Sequence, residues 1–184
     1  MSKQQLNDLD FQNVSRILNL LDPTLAQHAA TKNYVDNKRA QFRVTTQLNN
    51  TSNTTFINIS ELSLPVVAGR TYSFEFKLLF QSAATATGLV VSMTSPTGVV
   101  SATYEAPNGN DGTAGQLQGQ ITASGDIVAG TGVQTANTTF HATIGGTFIA
   151  TVSGNLVPQF RSEINGSQVR IMVGSLAFLE EVIV

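Results

Sequence analysis

The sequence predicts a mainly β protein, with a short N-terminal extension carrying a small helix, then an antiparallel, jelly-roll-like β-sandwich. Three observations predict it. Large apolar side chains recur at every second position from Tyr72 to Phe80. Short β-branched runs follow, separated by Gly, Asn and Pro. Between those runs no stretch has the period of an amphipathic helix.

Taken in order, the chain opens on a polar tip at residues 1–8. From Phe11 to Leu21 two periods compete. Phe11, Val14, Leu18 and Leu21 fit a helical face, while Val14, Arg16, Leu18 and Leu20 alternate like a strand. Asn13, Ser15 and Asn19 lower helix propensity, which favours the extended form. Asp22-Pro23 then starts the small helix, because proline fixes φ and its missing donor costs nothing there. Lys38 and Arg39 crowd its far end, where the helix dipole favours cations. Such a helix is marginal alone in water. Its thin apolar stripe, Leu25 with Tyr34 and Val35, calls for copies of itself or a larger partner.

The composition changes after Arg43, where Ser, Thr, Asn and Gly come to dominate. The expected division is therefore an N-terminal segment at 1–43 and a β-sandwich domain at 44–184, with Asn49 to Thr55 a polar linker or exposed turn. Ala68-Gly69 turns the chain into its clearest strand. There Tyr72, Phe74, Phe76, Leu78 and Phe80 share one face, opposite Thr71, Ser73, Glu75, Lys77 and Leu79. Further strands are expected at 89–93, 99–104, 118–123, 138–144, 147–152, 156–160, 168–173 and 176–184. Gly145-Gly146 and Gly174 read as punctuation, and Asn165-Gly166 as a type I′ hairpin turn. Asn108 to Gly115 and Ala129 to Gly132 read as long, mobile loops of the kind that carry binding.

Composition excludes several classes. The chain has 184 residues, 41% hydrophobic and only 12% charged, so charge-driven disorder is excluded. A net charge of −2 gives no general pull toward nucleic acid or acidic membranes. Residues 1–43 are mildly basic, with six Lys/Arg against four Asp, and the remainder is mildly acidic. There is no cysteine for a disulfide or a thiolate metal site. The polar start is no secretory signal, and no apolar run is long enough to span a bilayer. The expectation is a protein made in a cytosol that stays soluble until it assembles, with no membrane insertion.

Leu9-Asp10-Phe11, Asp22-Pro23-Thr24, Ala29-Ala30-Thr31-Lys32 and Tyr34-Val35-Asp36, in this order and spacing, resemble the N-terminal segment of bacteriophage tail-fibre and other virion structural proteins. The chain departs from that pattern at Leu21 and His28. Residues 69–88 and 160–175 more loosely resemble a β-domain recurrent in phage structural proteins. The resemblance implies a virion component, usually a homotrimer, anchored to a phage capsid or tail protein through this segment. Phe11, Ile17, Leu18, Leu20, Tyr34 and Val35 are the residues expected beneath that partner.

Catalytic and metal chemistry find little support. His28 and His141 are far apart in sequence and lack neighbouring ligands, so no metal or other cofactor is expected. No Gly-x-Ser-x-Gly elbow or Gly-Lys-Ser/Thr phosphate loop occurs. Glycoside hydrolysis needs two facing carboxylates. Its candidates are Glu75, Glu105, Asp111, Asp126 and Glu163. Of these, Glu75 falls on an outward strand face, Asp111 and Asp126 in turns, and Glu163 beside Arg161 as a structural ion pair. The expected protein is not an enzyme. The alternative to a fibre, spike or decoration component is a receptor-binding adhesin. In that case Asn108, Asn110, Asp111 and Thr131 contact a host-surface glycan or protein.

Overall fold

Tyr72, Phe74, Phe76, Leu78 and Phe80 do face one way, into the core, along a strand that runs on to Ser82. The computed structural model describes residues 39–107 and 115–182. The expected small helix, the attachment residues Phe11, Ile17, Leu18, Leu20, Tyr34 and Val35, and the loop residues Asn108, Asn110 and Asp111 lie outside the described residues.

In chain order the strands are β1 (Arg39–Arg43), β2 (Leu48–Asn50), β3 (Ile57–Asn58), β4 (Leu64–Val66), β5 (Thr71–Ser82), β6 (Leu89–Thr94) and β7 (Gly98–Pro107). They continue as β8 (Gln116–Ile121), β9 (Ile127–Ala129), β10 (Phe140–Ala150), β11 (Gly154–Ser162), β12 (Val169–Ile171) and β13 (Leu176–Val182). All pairings are antiparallel. The larger sheet has the order β1-β13-β5-β10-β7-β8, with β12 also against β5 and β2 against β12. The smaller has the order β3-β11-β6-β9, with β4 also against β11.

That order is a jelly roll. Strands β1, β13, β5 and β10 form four neighbours of one sheet; β3 with β4, β11, β6 and β9 form the other. The chain crosses between the sheets at eight of its twelve strand connections, in the manner of nested Greek keys. The hairpin β7–β8 is inserted between β6 and β9 and extends the large sheet beyond β10. One hydrophobic cluster joins both sheets, from Phe76, Phe80, Ile144 and Phe148 to Met93, Leu156 and Phe160.

Several expectations need correction. Gly145-Gly146 is no break. The strands expected on either side of it are one, β10, paired along its length with β5 and β7. Asn165-Gly166 is not a type I′ hairpin, because β11 and β12 belong to different sheets. Its positive φ falls at Gly166 alone. The turn is instead closed by Ser167 N–H donating to the Ile164 carbonyl at 3.2 Å. Asn49 to Thr55, expected as a polar linker or exposed turn, begins with the end of β2 and continues as a largely exposed bend that is anchored rather than free. Asn50 is buried, and its amide donates to the carbonyls of Thr55 and Phe160 at 2.9 and 3.1 Å. Finally, the last five residues of the expected segment 1–43 form β1, hydrogen-bonded to β13.

Two half-buried carboxylates organise turns. The Glu61 carboxylate accepts from the Thr45 hydroxyl and from the Thr45 and Thr46 N–H groups, which holds it below the usual carboxylate range. Asp126 accepts from the Thr122 and Ala123 N–H groups, each at 2.8 Å, and is lowered for the same reason. Its turn role is the one its sequence position suggested.

Candidate functional site

The outward face of the large sheet holds an open concavity. Strand alternation sends Thr143 of β10, Glu105 of β7 and Gln118 of β8 to that face. Pairing then sets them in one cross-strand row, Thr143 opposite Glu105 and Glu105 opposite Gln118. His141 precedes Thr143 by two residues and shares its face. Together with Pro107 and Gln116 they line an open depression of about 210 Å³. The Gln118 amide donates to Glu105 Oε1 at 2.9 Å, which fixes the carboxylate. The depression therefore offers amide, hydroxyl, imidazole and carboxylate groups around a small apolar floor that includes Leu117. Such a surface suits a polar partner. Glu105 is the one carboxylate among its described lining residues, whereas glycoside hydrolysis uses a pair.

The remaining carboxylates proposed for hydrolysis are dispersed among other roles. Glu75 pairs with Lys77 at 3.3 Å, and Asp126 holds its turn. Glu163 accepts from the Gly88 N–H at 3.0 Å. The expected Arg161–Glu163 ion pair is not found among the described residues. Arg161 instead lies over the Phe56 ring, 5.1 Å from its centroid, and donates to the Ser162 carbonyl. Among the described residues no group of three or more His, Asp or Glu could hold a metal ion. The Tyr104 hydroxyl lies buried in the core, and desolvation pushes its pKa far above the ordinary phenol value.

Thr131, the described member of the candidate host-contact set, is exposed but does not join this depression. Its loop is pinned to the small sheet and is not the free loop that its glycines suggested. Gly130 N–H donates to the Leu89 carbonyl at 2.9 Å, Val133 N–H to the Thr85 carbonyl at 2.8 Å, and Val133 is buried. The backbone of residues 130–131 packs so closely on Gly88 that a Cβ there would overlap the Gly130 carbonyl. Gln116, Gln118 and Thr143 were not singled out in the sequence. The alternation Gln116, Gln118, Gln120 was the available signal, but only strand pairing reveals their neighbours.

No protein-family profile matches the chain, and no curated protein matches it. Among solved structures, it is similar to the infectious bursal disease virus VP2 subviral particle at 9% identity and a TM-score of 0.20, covering 88% of this chain and 43% of that one. The Gx strain of the same virus gives 10% identity and a TM-score of 0.21, again covering 88% and 43%. The chain thus spans less than half the length of these proteins. A likeness this slight adds nothing to the strand order as a guide to function.

Proposed function

We propose that the chain is a structural component of a bacteriophage virion, a fibre, spike or decoration protein, anchored by its N-terminal segment and displaying the jelly roll as a homotrimer. One juxtaposition carries the reading. A segment resembling virion proteins, over residues 9–38, precedes a jelly roll whose described core draws only on residues from Ala40 to Leu179. The fold by itself is compatible with many roles, capsid and lectin domains among them. The division of labour comes from the segment. A capsid or tail protein covers Tyr34 and Val35, and the β domain faces outward, in the virion.

The depression at Glu105 and Gln118 favours a second reading, an adhesin that touches a host-surface glycan or protein. One experiment separates the two. A chain beginning at Lys38 retains every described strand and is expected to keep its β-type circular dichroism while failing to join particles. Normal incorporation of that chain contradicts the anchoring role. Particles carrying full-length Gln118→Ala are expected to adsorb to host cells as the parent particles do; a fall in adsorption favours the adhesin.

A further inference from the structure

The two ends of the jelly roll differ in what they expose. Strand β1 begins at Arg39, opposite Glu180, and β13 ends at Val182, opposite Thr71, so both lie at the end where β5 starts. The β4–β5, β6–β7 and β10–β11 connections lie at that same end. Eight large apolar residues are well exposed among the described residues, and five of them, Val67, Val99, Ile149, Val152 and Val182, belong to this end. Ile164 alone of the eight belongs to the opposite end, where β11 meets β12.

Exposed valines on strands need no explanation one at a time. Val67 and Val152 are different, because they sit in turns, where Gly, Asn, Asp and Ser are the usual choice. These turns are fixed to one another. Thr151 and Val152 N–H donate to the Thr97 carbonyl at 3.0 and 3.1 Å, and Gly69 N–H to the Ala150 carbonyl at 2.7 Å. Ala68 N–H donates to the Ser153 hydroxyl at 2.9 Å, and Val67 N–H to the Tyr72 hydroxyl at 3.0 Å. Arg70 is already paired with Glu181, while Glu180 stands exposed two residues before Val182. The opposite end is polar. There Ala83 N–H donates to the Gln168 carbonyl at 2.9 Å, and the Thr87 and Ser167 hydroxyls are 2.6 Å apart.

We infer that the apolar end is a second docking face for the virion protein that anchors the chain, and that it meets an aliphatic, uncharged patch of that protein. The inference rests on the anchoring reading and adds a face on the jelly roll itself. Chain length commits the occupant. Tyr34, which the anchoring protein covers in that reading, precedes Arg39 by five residues, at most about 18 Å of extended chain. From Ser73, level with Arg39, to Ser82, strand β5 runs roughly 30 Å. The apolar end is therefore the one within reach of a surface that holds Tyr34. A tethered contact needs little area, because the segment already holds the two surfaces at high effective concentration. Turns that are fixed beforehand also lose little entropy on docking. The polar turns at 83–88 and 163–168 then point away from the anchor.

The absence of cysteine from the sequence gives a clean test. Full-length Val67→Cys and Val152→Cys place one thiol at the apolar end, and Ala86→Cys and Asn165→Cys place one at the polar end. Each is treated with a maleimide-linked polymer, both as the free chain and on purified particles, and the mass shift of this chain is read on a denaturing gel. All four are expected to react in the free chain. On particles, Val67→Cys and Val152→Cys are expected to lose that reactivity, and Ala86→Cys and Asn165→Cys to keep it. A Val67→Cys or Val152→Cys chain that retains its β-type circular dichroism yet is missing from particles that do hold Ala86→Cys supports the same face. Apolar-end thiols that react on particles as fast as in the free chain overturn the inference alone, as do polar-end thiols that become protected. A wild-type chain absent from the particles overturns it together with the anchoring reading.

Discussion

Phe76→Ala is expected to destabilise the jelly roll by about 3–5 kcal/mol, the usual cost of emptying a large aromatic site in a packed core. Phe76 is fully buried near the middle of β5, opposite Ile144 on one side and Ala177 on the other. Its ring lies 5.7 Å from that of Phe74, centroid to centroid. Ala177 is too small to collapse into the space, so the cavity term persists along with the lost transfer energy. Ser73 is exposed on the opposite face of the same strand, and Ser73→Ala is expected to change stability by no more than about 0.5 kcal/mol. Urea denaturation of the two variants reads both effects. Equal losses would contradict the assignment of faces.

The glycine pair in β10 offers the second large effect, and its two members are expected to differ sharply. A Cβ on Gly146 would lie 2.2 Å from the Ser101 carbonyl oxygen and 2.5 Å from the Ala102 Cα. Both atoms are backbone, so β7 itself has to move. Gly146→Ala is expected to cost about 3 kcal/mol, at or beyond the upper end of ordinary overpacking. A Cβ on Gly145 meets nothing closer than the Phe74 carbonyl oxygen at 3.8 Å, an ordinary contact. Gly145→Ala is therefore expected to be neutral or stabilising by up to about 1 kcal/mol, through the smaller entropy of the unfolded chain. Thermal melts of the two variants check this. Similar shifts would mean that β10 and β7 are not packed as described.

This pair also shows where the sequence was legible and where it was not. The alternation from Tyr72 to Phe80 required a strand with one buried face, because only a period of two places five large side chains together. Gly145-Gly146 looked like a turn because glycine punctuates most chains. Here one of the two serves a close approach between strands, which depends on a neighbour 44 residues earlier in the sequence, Ala102. Strands β2, β3 and β4 have two or three residues each, too few to show a period. The depression was hidden for a similar reason. Glu105 drew notice as one of five candidate carboxylates, but its neighbours Gln118 and Thr143 come from strands whose adjacency is a property of the topology. Arg161 and Glu163, two apart on paper, are drawn to separate partners once Phe56 and Gly88 are in place.

The claim that the chain is part of a virion is tested most directly by the composition of particles. Phage particles are purified to constant density from lysed cells that make the chain, and their peptides are quantified by mass spectrometry. The account predicts peptides from both the N-terminal segment and the jelly roll, in a fixed ratio to the capsid or tail proteins through successive purification steps. A chain abundant in the lysate but lost from the purified particles would contradict it.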